Sequence, residues 1–105
     1  MPNVFSSSLG IYKQAKAKLD LIDVWLYTFN QWGEAQADKY LDDLESSLEL
    51  LAEQPLICRE RTEFKPPVRI YQYEHHLIVY TILSDKIVII RVLHENMNVD
   101  LQLEQ

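Results

Sequence analysis

Two neighbouring segments late in the chain are almost entirely apolar and rich in β-branched residues. Leu77 to Leu83 and Ile87 to His94 are separated by only three polar residues, Ser84 to Lys86. Short apolar runs joined by a connection of hairpin length predict two antiparallel strands that are buried on both faces. Strands of this kind lie in the middle of a sheet, so the rest of the chain has to supply edge strands and a covering layer.

A charge interrupts the second of these segments at Arg91. A charged group inside a buried strand is costly unless a partner or water reaches it. His94 and further polar residues follow directly. We therefore expect this strand to deliver polar side chains to one edge of a small fold.

Two helical patterns precede the strands. Each carries one apolar stripe at spacings of three and four residues, which predicts two amphipathic helices. Gly33 separates them, Pro55 ends the second, and Trp25 and Trp32 are expected to pack within the pair, which forms an αα-hairpin. The stripes are Ala15, Leu19, Ile22, Leu26 and Phe29 in the first helix, and Ala37, Leu41, Leu44, Leu48 and Leu51 in the second.

The remaining segments complete the predicted fold. Val68 to Tyr73 alternates like a strand after a polar loop over Cys58 to Pro67, and Phe5 to Tyr12 is a weaker first strand. The tail, 96–105, keeps apolar residues and is expected to pack. The sequence therefore predicts one α+β domain over residues 1–105, ordered β-α-α-β-β-β, with an N-terminal helical hairpin packed on a small antiparallel sheet.

The charge and cysteine content limit the classes of function. A net charge of −6 argues against unaided binding to nucleic acid, which depends on Lys and Arg neutralising phosphates. The only cysteine, Cys58, cannot form an internal disulfide, which is typical of a reducing cytoplasm. No apolar run approaches the ~20 residues of a membrane span. We expect a cytoplasmic protein without membrane contact, whose second helix has an acidic outer face carrying Asp38, Asp42, Glu45 and Glu49.

No motif for catalysis or cofactor binding is recognisable. The chain lacks a nucleophile–base arrangement, a CxxC or HExxH motif and a glycine loop for phosphate. Adjacent residues of an extended chain point to opposite faces, so His75 and His76 are not expected to bind one metal ion together. We predict no cofactor, no metal site and no catalytic residues.

Several stretches, taken in order, resemble one known family. They are Leu19 to Tyr27, Trp32 to Tyr40, Leu51 to Pro55, Arg69, His76 to Tyr80, and Ile90 to His94 with Met97 and Asn98. Together they are similar to ParE-type toxins of the RelE/ParE toxin–antitoxin superfamily, from about residue 12 to about residue 100. Each stretch alone is a weak signal, but the ordered set is specific.

The resemblance implies the toxin of a type II toxin–antitoxin system. Such a toxin inhibits DNA gyrase without being an enzyme itself and forms a hetero-oligomer with a ParD-like antitoxin. Operator DNA would be contacted only indirectly, through the antitoxin. Two alternatives stay open: a ribosome-dependent mRNA endonuclease of the RelE type, which needs several cations and a proton-transfer group, and a partner-binding module that is no longer toxic, suggested by the acidic charge.

Two groups of residues are candidate contacts under this resemblance. An antitoxin segment that folds on binding would lay apolar anchors on the hairpin and sheet, and its acidic side chains would meet a basic cluster. This cluster consists of Arg59, Arg61, Lys65 and Arg69. The target would contact the end of the last strand and the tail, at Arg91, His94, Met97, Leu101 and Leu103.

Overall fold

The fold is α+β, as predicted, with two long helices before most of the sheet and one short helix after it. The computed structural model describes residues 8–104. Its elements are β1 (Gly10–Lys13), α1 (Ala15–Trp32), α2 (Glu34–Glu53), β2 (Arg69–Tyr73), β3 (His76–Leu83), β4 (Lys86–His94) and α3 (Val99–Leu103). Within the described residues the first strand begins at Gly10, so Ser8 and Leu9 are not part of it as predicted, and the predicted residues Phe5 to Ser7 lie outside the described part.

The four strands form one sheet in the order β1-β4-β3-β2. β3 and β4 are therefore central, as their apolar sequences predict, and both pairings within β2-β3-β4 are antiparallel. The prediction of an antiparallel sheet throughout is wrong for β1, which pairs parallel to β4 with Gly10 opposite Lys86. Parallel pairing is available here because both helices lie between the two strands in sequence.

A β-bulge at Ile90 sets the faces of β4. Tyr80 pairs with Ile89, but the next residue of β3, Val79, pairs with Arg91. A one-residue shift moves every later side chain to the other face of the strand. Ile89 before the bulge and Val92 after it consequently belong to the same core beneath the helices.

The two helices cover this face of the sheet in different ways. α2 buries its predicted stripe, with Leu44, Leu48 and Leu51 fully buried. For α1 the predicted buried stripe is wrong, since Leu19, Ile22, Leu26 and Phe29 are exposed. The buried residues of α1 are Ala17, Leu21, Val24 and Thr28. Three of these four buried side chains are small, which allows α1 to lie close to the sheet. The larger side chains of the predicted stripe would hold the helix further away.

A smaller core lies on the other face of the sheet. Its buried residues are Val68, Val79 and Leu93, and the partly buried residues packed against them are Phe64, Ile70, Ile90, Val99 and Leu103. Val99 and Leu103 belong to α3, so the tail packs, as predicted. Asn98 caps this helix by accepting a hydrogen bond from the Leu101 amide.

Arg91 has its charge partner in Asp20 of α1. Its Nε and Nη2 donate to the two carboxylate oxygens of Asp20 at 2.8 and 3.0 Å, and both side chains are only 13% exposed. The same carboxylate accepts the Val92 amide at 2.9 Å, while Arg91 Nη1 donates to the Gln102 carbonyl at 3.2 Å. The hydrogen bonds to Asp20 raise the pKa of Arg91. One ion pair thus joins α1, β4 and α3.

Asp20→Asn should lower the free energy of unfolding by about 3 kcal/mol, because it leaves a buried guanidinium without its counter-charge. Urea denaturation followed by circular dichroism measures this loss. Asp23→Asn is the matched control, since Asp23 is exposed on the same helix, and should change stability by less than about 0.5 kcal/mol. Equal effects of the two substitutions would contradict the structural role of Asp20.

Candidate interaction surfaces and an aromatic cleft

A cleft of about 520 Å³ opens between the helical hairpin and the β2–β3 turn. We call it the aromatic cleft because tyrosine, tryptophan and histidine rings form most of its wall. The lining residues are Tyr27, Thr28, Trp32, Gln36, Lys39, Tyr40, Asp43, Tyr73, Glu74, His75, His76 and His94. α1, α2 and the strand ends all contribute, so the cleft exists only in the folded chain.

His76 and Tyr40 form the inner wall of this cleft. Burial, together with the neighbouring His94 and His75, lowers the pKa of His76 to about 4. The ring is therefore neutral at pH 7, and its Nδ1 can accept a hydrogen bond from the Tyr40 hydroxyl, 2.7 Å away. Tyr40 is half-buried, and this contact satisfies its hydroxyl. His76 pairs across the strands with His94, and the two rings meet edge to face at 5.4 Å.

His75 lies in the turn before β3, outside the regular strand. The expectation that His75 and His76 face opposite sides is wrong, because the alternation of a strand does not apply in a turn and both side chains line the same cleft. His75 stacks on His94 at 6.4 Å, and its Nδ1 lies 2.6 Å from Glu95. The hydrogen bond from His75 lowers the pKa of Glu95. Within residues 8–104, no three His, Cys, Asp or Glu side chains are arranged to hold a metal ion.

Asp43 organises the outer wall of the cleft. It accepts the Tyr73 hydroxyl and the Lys39 ammonium, each at 2.9 Å. The hydrogen bond from Lys39, followed by that from Tyr73, lowers the pKa of Asp43. The pKa of the Tyr73 hydroxyl is raised, chiefly by burial. The charge of Lys39 is thus balanced within the wall itself.

The predicted target residues occupy different environments. His94 lines the aromatic cleft, and Met97 and Leu101 are 47% and 56% exposed. Arg91 is held by Asp20, and Leu103 packs against the smaller core. Two of the five side chains therefore have a structural role, and contact of the five with a target stays a prediction.

The four residues of the predicted basic cluster differ in whether they already have a partner within the chain. Arg59 and Lys65 are exposed. Arg61 pairs with Glu63 at 2.7 Å and lies 5.5 Å from the centre of the Phe64 ring. Arg69 donates to the Cys58 carbonyl. Two cations are thus engaged within the chain, and binding of an antitoxin by the cluster stays a prediction.

An apolar groove runs along the solvent side of the helical hairpin. This outer groove has a volume of about 390 Å³ and is lined by Leu21, Ile22, Trp25, Leu26, Leu41 and Glu45. Trp25 stacks on Phe29 at 5.1 Å and donates its indole N–H to Asp38 at 2.9 Å, so it joins the two helices as predicted. Trp32 does not pack within the hairpin, since it is 66% exposed and lines the aromatic cleft.

The sequence contained weak signals for the residues that were missed. Asp20 lies beside the buried Leu21 of α1, and an acid on a buried helix face suggests a partner for the lone arginine of a buried strand. Tyr27 and Trp32 are not part of the apolar stripe predicted for α1, and only the fold brings them near Tyr73. Among the described residues, no helix is long and apolar enough to cross a membrane.

The substitution His76→Gln should change the pH dependence of stability. An unfolded histidine titrates near about 6.5, whereas folded His76 has a pKa of about 4. The folded state therefore binds fewer protons between these values, and stability is lost as the pH falls from about 6.5 towards about 4. We expect the stability of the wild type relative to H76Q to fall by about 1–2 kcal/mol in this window, a value reduced for partial exposure.

Urea denaturation of both proteins at several pH values measures this difference. The glutamine carbonyl can still accept the Tyr40 hydroxyl, so the comparison isolates the titration of the ring. Parallel pH profiles of the two proteins would show that His76 titrates normally.

Comparison with known proteins places these surfaces in context. Residues 12–99 match the family described as the ParE toxin of the type II toxin–antitoxin system, parDE. Toxin ParE1 of Caulobacter vibrioides is 34% identical over 83 residues, which cover 79% of this chain and 85% of that protein. Toxin ParE1 of Mycobacterium tuberculosis is 32% identical over 85 residues, which cover 80% of this chain and 87% of that protein.

The fold has a solved counterpart as well. A structure described as a chromosomal ParDE TA system from P. aeruginosa superimposes with a TM-score of 0.72 at 20% identity. The match covers 85% of this chain and 98% of that one, and at this identity it shows the fold alone. With a family match over most of its length and relatives above 30% identity, the chain belongs to the ParE toxin family of type II toxin–antitoxin systems.

Proposed function

We propose that this chain inhibits DNA gyrase as a non-catalytic toxin and is neutralised by a ParD-like antitoxin. The observation that carries the proposal is the family match over residues 12–99. We further propose that it is a single cytoplasmic domain, that it forms a hetero-oligomer with the antitoxin, and that it meets operator DNA only through that partner. The net charge of −6 supports this last point.

We propose the outer groove as the binding site of the antitoxin. Leu19, Ile22 and Leu26 are 60%, 54% and 48% exposed along one side of α1. Contiguous apolar surface of this kind marks an interaction site, and an amphipathic helix with anchors at spacings of three and four residues would fit it. Glu45, from the predicted acidic face of α2, also lines the groove, and it pairs with Lys13 at 2.9 Å.

The basic cluster would receive acidic residues of the same antitoxin. Arg59 and Lys65 are the cations best placed for this role, because they are exposed, whereas Arg61 and Arg69 already have partners within the chain. Charge-assisted hydrogen bonds to carboxylates would fix the register of the bound segment.

The alternative of an mRNA endonuclease has one supporting observation. His76, His94 and Tyr40 meet in the aromatic cleft and could transfer protons. However, RNA cleavage also needs cations on the phosphate. Among the described residues that line the cleft, Lys39 is the only lysine or arginine, and Asp43 holds it. The cleft therefore favours the non-catalytic proposal.

Expression of the chain in bacteria without an antitoxin should stop growth and accumulate cleaved DNA bound to gyrase. The double substitution Met97→Asp with Leu101→Asp should abolish both effects, because it places two charges on the proposed target surface. Growth curves and a gyrase cleavage assay with purified proteins measure these outcomes.

Leu56→Asp is the matched control, since Leu56 is 71% exposed and lies away from the proposed surface. It should leave toxicity unchanged. Growth arrest with unaffected gyrase and translation-dependent mRNA cleavage would support the endonuclease. A folded protein without any effect on growth would support the module that is no longer toxic.

Ile22→Glu in the outer groove should weaken binding of the antitoxin at least about tenfold, or about 1.4 kcal/mol. The reason is that an unpaired carboxylate would be buried in the interface. Arg59→Glu with Lys65→Glu should raise the dissociation rate by a similar factor. Surface plasmon resonance with the antitoxin encoded beside this toxin measures both.

Leu83→Glu serves as the control, because Leu83 is 57% exposed but lies at the β3–β4 turn. Unchanged affinity after I22E would exclude the outer groove as the site. Unchanged dissociation after the double charge reversal would exclude the basic cluster.

A further inference from the structure

The aromatic cleft is separate from the outer groove, and two features indicate what it binds. Its wall presents four large aromatic side chains, which are Tyr27, Trp32, Tyr40 and Tyr73. Tyr27 and Trp32 are 60% and 66% exposed and meet edge to face at 6.4 Å. Tyr40 and Tyr73 are 5.5 Å apart on the other side. Aromatic faces around a cavity favour a flat or cationic group.

The charges of the cleft select between these groups. Lys39 is balanced by Asp43 at 2.9 Å, and the ring of His75 lies 2.6 Å from the Glu95 carboxylate. His76 is neutral at pH 7. Glu74 then adds a carboxylate to the lining without a matching cation among the lining residues. The cleft therefore has a negative balance, which disfavours a phosphate and favours a cation.

A second cavity continues the cleft towards the proposed target surface. It shares Tyr27, His76 and His94 with the cleft and ends at Met97. Its charged lining residues are Asp20, which is paired with Arg91, and Asp23. The negative balance thus extends from the cleft to the surface around Met97.

We propose that the aromatic cleft receives an arginine side chain of the protein that this toxin inhibits. The inference rests on the proposed function in so far as the arginine belongs to the target. A guanidinium is planar and weakly hydrated, so it stacks on Tyr and Trp rings better than an ammonium does. Its N–H groups can donate to the Glu74 carboxylate while its plane lies against the rings.

Titration with Nα-acetyl-arginine amide, followed by ¹H–¹⁵N NMR spectra of the full chain, tests this inference. We expect saturable shifts confined to residues that line the cleft, with a dissociation constant of about 1–10 mM. The lysine analogue should bind at least about threefold more weakly, and the citrulline analogue, which has the same shape without the charge, should not bind.

Two variants locate the site. Trp32→Leu removes an exposed ring, and Glu74→Gln removes the unbalanced carboxylate, so each should weaken binding at least about threefold. Glu49→Gln is the matched control because it removes one carboxylate from the exposed side of α2, and it should leave binding unchanged.

Three results would overturn the inference. They are equal shifts with the arginine and citrulline analogues, shifts spread over the acidic side of α2, and a response to adenosine monophosphate without one to arginine. The growth and gyrase assays do not depend on this titration. A toxic chain that fails to bind arginine would refute the inference and leave the proposed function intact.

Discussion

The carboxylate of Asp20 joins α1 to the sheet just beyond the point where β1 ends and the edge of β4 becomes unpaired. β1 ends opposite Ile89, so the edge of β4 beyond that residue has no neighbouring strand. Asp20 replaces the missing strand by accepting a hydrogen bond from the Val92 amide, and the same carboxylate neutralises Arg91. An unpaired amide or guanidinium in this position would be costly. The same contact sets the position of α1 on the sheet, and through Arg91 it holds α3.

Both proposed surfaces follow from the position of α1. The helix turns its smaller side chains towards the sheet and leaves Leu19, Ile22 and Leu26 in solvent. Monomeric proteins rarely expose such stripes without a partner. At its C-terminal end the same helix presents Tyr27 and Trp32 to the aromatic cleft. Under the two proposals, one helix offers an apolar side to the antitoxin and an aromatic end to the target, so substitutions can separate the two interactions.

The fold could be predicted from the sequence more completely than the surfaces could. The apolar runs of β3 and β4 and the breaks at Gly33 and Pro55 are local signals, and they predicted the central strands and the hairpin. The direction in which α1 faces could not be read, because both sides of that helix are apolar and only packing against the sheet selects one. The bulge at Ile90 was equally hidden. Without it, Leu93 would pair with His76, and His94 would lie on the other face. The cleft therefore depends on one inserted residue with no signature of its own.

The parallel pairing of β1 with β4 also affects how the protein is made. Gly10 and Lys86 come from distant parts of the chain, and loop closure over that distance is slow compared with forming the hairpin of α1 and α2. During synthesis the ribosome releases β1 and both helices long before β4 emerges. Until then the sheet lacks a central strand, and Asp20 lacks Arg91. The surface around His94 and Met97 is thus assembled last, while the helices that form the outer groove are available earlier.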